Sequence, residues 1–154
     1  MMTNQKGVTL VFVIYRKILM LWTAQSLAAA LNAEKFETNV ISDNALAVKL
    51  KEFSDLDVAI VINGQFMKAE AILIAEKDVV EPQKLDRLLM KATDFLHLSS
   101  FTVRDIDGES VYAILGESSA SSKIENVELE LNTIAENAYQ AAALIEKHNE
   151  TFTK

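Results

Sequence analysis

Cysteine is absent from the chain, proline occurs only as Pro82, and glycine occurs four times in 154 residues. Without cysteine there is no disulfide, no thiol nucleophile and no cysteine-based zinc site. So little glycine and proline in a chain that is 50% apolar describes a compact folded protein rather than a disordered one. Arg16, Arg87 and Arg104 are the only arginines and the net charge is −7, so no basic stripe follows a phosphate backbone and nucleic acid is not an expected partner. His97 and His148, the only histidines, stand in neither HxxxH nor HExxH spacing. No cofactor is therefore expected.

The start of the chain is apolar without being a spanning segment. Arg16 and Lys17 fall inside the apolar window 8–31, and each charge there would cost about 2.5–3.5 kcal/mol at a bilayer centre. A secretory signal could be read from Tyr15-Arg16-Lys17, ILMLW and Ala28-Ala29-Ala30. Thr23, Gln25 and Ser26 interrupt it, while Trp22, Leu27, Ala30 and Leu31 keep helical spacing, as in an amphipathic helix of a folded domain.

What is present reads as alternating strands and turns between helices. VTLVFVIY at 8–15 is β-branched and aromatic, and predicts a strand. FETNVIS at 36–42 and LAVKL at 46–50 flank Asp43-Asn44, and DVAIVI at 57–62 and QFMKAEAILI at 65–74 flank Asn63-Gly64. Both pairs tolerate left-handed dihedrals and predict hairpins. Pro82 suits the first turn of a helix that places Leu85, Leu88, Leu89, Ala92 and Leu96 on one face. FTVRDI at 101–106 and ESVYAIL at 109–115 flank Asp107-Gly108, a third hairpin in which Phe101, Val103, Val111 and Ala113 are expected to share one side. The last helix is the most regular: Ile124, Val127, Leu131, Ile134, Ala138, Ala141 and Ile145 recur at steps of three and four. Such a seam calls for a cover, either the chain's own sheet or a partner.

Four motifs invite chemistry. In GESSASSKIE at 116–125 the serines sit where a hydrolase of the strand–turn–helix kind would hold a nucleophile, with Ser118 or Ser119 as the candidate. Ala120 replaces the second glycine of that motif, and Ser122 with Glu125 forms a capping-box pattern that explains the serines as a helix start. Asp105, Asp107 and Glu109 around Gly108 resemble part of a calcium loop, but a solvated turn accounts for them. His97 and His148 lie near expected helix ends, where an imidazolium meets free carbonyls. Glu125, Glu128, Glu130 and Glu136 give the last helix an acidic exposed side, which is also able to dock a basic partner.

LHLSSFTVRDIDGESVYAILGESSASSKIENVELELNTIAENAYQAA at 96–142 resembles the C-terminal half of the YjfI-like family of uncharacterised bacterial proteins, in its LSSF segment, its hairpin glycine, its spaced serines and its acidic helix with Asn137. The resemblance implies no enzyme activity. It does imply a membrane-stress setting, with a phage-shock-type membrane protein as the expected partner. The order of elements is also similar to that of type III secretion chaperones.

Together these readings predict an α+β domain at 21–148, with an N-terminal extension at 1–20 and a tail at 149–154. Its twisted antiparallel sheet would have about five to seven strands built from hairpins, covered by three helices. The expected function is a non-enzymatic, chaperone-like protein-binding module in the cytoplasm, as a homodimer. Its partner surface is expected along Ile124, Val127, Leu131, Ile134, Ala138 and Ile145. A small serine hydrolase and a peripheral membrane factor using residues 8–22 are the alternatives.

Overall fold

The computed structural model describes residues 20–153; the strand expected at 8–15 lies outside them. Alternation decides the sheet. In β2 (Ala45–Leu50) and β3 (Leu56–Asn63) every second side chain is buried, and the pairs Leu46↔Ile60 and Val48↔Val58 put the buried sets on one face. With β1 (Phe36–Ser42), β4 (Phe66–Ala75), β5 (Ser100–Ile106) and β6 (Glu109–Ser119), these strands form one six-stranded sheet of order β1-β2-β3-β4-β6-β5. Every neighbouring pair is antiparallel. The expected α+β architecture is therefore what the chain adopts.

Among the described residues three helices accompany the sheet: α1 (Ala24–Ala30), α2 (Pro82–Ala92) and α3 (Ile124–Phe152). Leu27 of α1 and Val127, Leu131 and Ile134 of α3 join Leu46, Val58, Ile60 and Ile114 of the sheet in the main core. A smaller core holds Leu85 and Leu89 of α2 against Tyr112 and Ile145. There the buried Tyr112 hydroxyl donates to Asp86 Oδ1 at 2.6 Å, and burial, reinforced by that carboxylate, pushes the phenol pKa up. α3 does not stop before a tail. It continues through Phe152, and Asn149 accepts from the Val80 N–H at 2.9 Å and donates to the Asp78 carbonyl at 3.2 Å.

Turn chemistry placed two hairpins where expected and moved one. Asp107 and Gly108 have φ of 50° and 84°, both left-handed, as a type I′ turn needs. The β3–β4 loop is Gly64-Gln65 instead of Asn63-Gly64, because Asn63 pairs with Phe66 and only Gly64 takes a positive φ. A different error of parity affects the third hairpin. Closing Asp107-Gly108 pairs Ile106 with Glu109, so Phe101 faces Ile114 and Val103 faces Tyr112. Val111 and Ala113 therefore lie on the opposite side from Phe101 and Val103, a one-residue slip that exchanges faces.

The helix start also differs. α3 is capped at Lys123 without a side-chain hydrogen bond, and Ser122 instead offers its carbonyl to Trp22 Nε1 at 2.7 Å. A reciprocal capping box occurs at α1, where Thr23 Oγ1 accepts from the Ser26 N–H at 3.1 Å and Ser26 Oγ accepts from the Thr23 N–H at 2.9 Å. Thr23→Ala is expected to lower stability by about 0.5–2 kcal/mol, with Ser122→Ala close to neutral. Urea melts of the two variants check this.

Candidate functional site

The six residues expected to receive a partner are used internally. Val127, Leu131, Ile134, Ala138 and Ile145 are all at most 5% exposed, and Ile124 packs against the main core. The seam lies on the chain's own sheet, so in this fold it presents no surface to another molecule. α2 also ends before Leu96: a short 3-10 turn, Thr93–Phe95, follows it and takes Leu96 off the helical face.

Ser118 and Ser119 do not form a nucleophile elbow. Both lie within β6, paired with Met67 and Phe66 of β4 in antiparallel register. Ser119 Oγ lies 2.8 Å from Ser121 Oγ, while Ser118 Oγ is buried without a hydrogen-bond partner. Asp105 accepts from Ser110 Oγ at 2.6 Å across the β5–β6 ladder, as a hairpin needs. His148 is buried and meets the Val80 carbonyl through Nε2 at 2.7 Å, so it ties α3 to the segment before α2 rather than capping its own helix.

What sequence reasoning missed is a set of polar residues beside the seam of α3. Glu130 and Asn137, seven residues apart and therefore two turns apart on one side, are each only 5% exposed. Glu130 thus leaves the acidic exposed side it was expected to join. A glutamate and an asparagine in step with an apolar seam are the signal of buried polar contacts, and the regularity of the apolar residues masks it. Asn137 Nδ2 donates to the His97 carbonyl at 2.9 Å and to Ser99 Oγ at 2.7 Å. Between these two anchors Leu98 is held at φ 55°, a left-handed value that disfavours a Cβ by roughly 1–2 kcal/mol. Its side chain is nonetheless 57% exposed.

Gly116 completes this arrangement from below. A Cβ there would lie 2.6 Å from Glu130 Oε1, 2.9 Å from Ile134 Cδ1 and 3.1 Å from the Leu98 carbonyl oxygen. The absence of a side chain lets helix, strand and clamped loop converge. Glu130 Oε1 has no hydrogen-bond partner. Burial pushes its pKa up, and the nearby Ser118 hydroxyl partly opposes this. A carboxyl whose folded pKa is raised contributes stability at low pH and loses it as pH rises through that raised value. Glu130→Gln should therefore gain thermal stability relative to the native chain more at about pH 8 than at about pH 5. Melting curves at the two pH values read the difference.

The elements on either side of the clamped loop also carry exposed apolar side chains. Met90 is 77% exposed, Phe95 84% and Val103 48%. Met90 and Val103 line a groove of ≈ 480 Å³ between α2 and the edge strand β5, floored by Leu89, Phe101 and Tyr112. Among the described residues β5 pairs only with β6, which makes it an edge strand of the sheet. This loop, groove and edge form the candidate site. It is built for contact: apolar side chains, one strained display loop and an edge strand.

Fold and site together define an α+β domain with an open antiparallel sheet covered by helices on one face. The chain belongs to the family described as "Uncharacterized protein conserved in bacteria (DUF2170)", which matches residues 21–149. It is 26% identical over 133 residues to the uncharacterized protein YjfI of Escherichia coli K12, covering 84% of this chain and 99% of that one. The same protein from Escherichia coli O157:H7 shows the same identity and coverage. Among the described residues, no helix is long and apolar enough to cross a membrane.

Proposed function

We propose that the domain is a non-enzymatic protein-binding module that grips an apolar segment of a partner on the α2–β5 face. The observation that carries this reading is Leu98, an exposed leucine kept left-handed by a buried asparagine, together with exposed Met90, Phe95 and Val103 on the elements that flank its loop. Strain held at an exposed loop is a mark of a working surface, and contiguous exposed apolar side chains mark contact sites. Burying such a side chain contributes about 1.5–3 kcal/mol, so four contribute about 6–12 kcal/mol toward offsetting the entropic cost of association.

A homodimer through this face is the simplest form of the proposal. A cytoplasmic protein of the membrane-stress response, of the coat-forming phage-shock type, is the other partner the resemblance suggests. The test uses the full chain with Met90→Lys and Leu98→Gly together. Glycine relieves the left-handed strain at 98 while removing the apolar side chain, so the fold should hold. Sedimentation velocity and affinity capture from the native cell should show complexes of the native chain that the variant loses at unchanged melting temperature. A native chain that is monomeric and captures the same proteins as the variant would overturn the reading.

A further inference from the structure

The sheet is split between two of its central strands. Pairing of β3 with β4 runs from Asn63↔Phe66 to Ala59↔Glu70 and ends there. β3 nevertheless starts at Leu56 and β4 continues to Ala75, so Leu56, Asp57 and Val58 on one side and Ala71 to Ala75 on the other have no register partner across the gap among the described residues. Each strand is held on its far side: β3 keeps its register with β2 down to Leu50↔Leu56. β4 stays with β6 through a bulge between Ile72 and Ile74. A bulge bends and twists its strand, and here it accompanies the departure of β4 from β3.

Grooves open at this gap on both faces of the sheet. On the uncovered face it opens into a groove of ≈ 580 Å³ lined by Ala47, Ala59, Glu70 and Ile106. On the helix side it opens into one of ≈ 190 Å³ against Phe53, Ala138 and Tyr139. Leu56 and Ile72 line both. At its mouth Ser54 and Asp55 are both left-handed, at φ 50° and 59°. Asp55 and Asp57 line the uncovered side; Asp57 lies 3.9 Å from Lys49, and Glu70 is engaged by Arg104 at 2.6 Å.

We infer that this split accepts an extended segment of a partner polypeptide as an inserted strand, with apolar side chains on Leu56, Ile72 and Tyr139 and a lysine or arginine at the Asp55–Asp57 end. Two strand edges facing one gap present donors and acceptors from both sides, and an extended backbone satisfies both at once. The five residues of β4 beyond the last β3 pair correspond to roughly 16 Å of strand, enough for a short segment. The two carboxylates select a basic end. This surface is separate from the α2–β5 face, and its occupant is recognised through main chain as much as side chain.

The probe is a fluorescent peptide of alternating valine and threonine with arginine at each end, titrated into the full chain by anisotropy. Two counterparts are run beside it: one N-methylated at alternate positions, and one with glutamate for arginine. Both counterparts should bind at least tenfold more weakly than the parent, as should the parent to Ile72→Lys. Asp55→Asn, which keeps a residue tolerant of the left-handed turn, should weaken binding several-fold and flatten its salt dependence. Met90→Lys should leave it unchanged, which separates this site from the α2–β5 face. No saturable binding, equal binding of the N-methylated peptide, or loss with Met90→Lys in place of Ile72→Lys would overturn the inference. So would a photo-crosslinker at position 72 that joins, in the presence of peptide, to residues 1–19 of this chain or to a second copy.

Discussion

Leu131→Ala should lower the unfolding free energy by about 2–5 kcal/mol, a large part of the roughly 5–15 kcal/mol that holds a domain of this kind together. Leu131 is 0% exposed and stands at the middle of the α3 seam, in the same core as Ile60 and Ile114. Alanine removes its transfer free energy and leaves a cavity, which an open sheet under one long helix relaxes only in part. Leu129→Ala, two residues away but 57% exposed, should change stability by less than about 0.5 kcal/mol. Chemical denaturation of both variants reads the contrast. A small effect at Leu131 would mean that α3 does not cover the sheet as described.

Gly116→Ala should cost about 1–3 kcal/mol through overpacking. The cause is steric rather than a matter of backbone freedom, because the positive-φ glycines are Gly64 and Gly108. The new methyl group would meet Glu130 Oε1 first, then Ile134 Cδ1 and the Leu98 carbonyl oxygen. A side chain can move aside and a backbone carbonyl in a clamped loop cannot readily do so. The Glu130→Ala background should therefore reduce the cost without abolishing it, giving a coupling of roughly 0.5–3 kcal/mol in a double-mutant cycle. Strict additivity would show that Glu130 does not press on Gly116.

Much of the fold follows from residues whose local physics has one solution. Asp107-Gly108 turns the chain with two left-handed residues, Asp43-Asn44 turns it without a positive φ, Pro82 opens α2, and the steps of the α3 seam give a helix with one buried side. Less was legible where a decision rests on parity or on distant partners. Closing a two-residue turn fixes which side Phe101 takes, and an error of one residue is invisible in composition. Ser122 with Glu125 matches the capping-box pattern and Thr23 with Ser26 does not, yet the reciprocal cap forms at Thr23 while the Ser122 carbonyl accepts from Trp22 Nε1.

The candidate site was less legible still. The apolar seam is the loudest pattern in the sequence, and for that reason it is core: a helix of that length over a sheet consumes its own stripe. Met90, Phe95, Leu98 and Val103, among the side chains that stay apolar and exposed after folding, show no periodicity that marks them in sequence, because they fall in a helix end, a 3-10 turn, a loop and an edge strand. Asn137, like Glu130, carried a local clue, being polar and in step with buried neighbours.

The most direct measurement places a photo-crosslinking residue at Val103 of the full chain in its native cell, with Gln140, on the exposed side of α3, as the control position. The account predicts one dominant adduct from position 103, mapped to an apolar stretch of a partner or of a second copy, absent from position 140 and lost when Leu98→Gly is added. Equal adducts from both positions, or an adduct from 103 indifferent to Leu98, would contradict it.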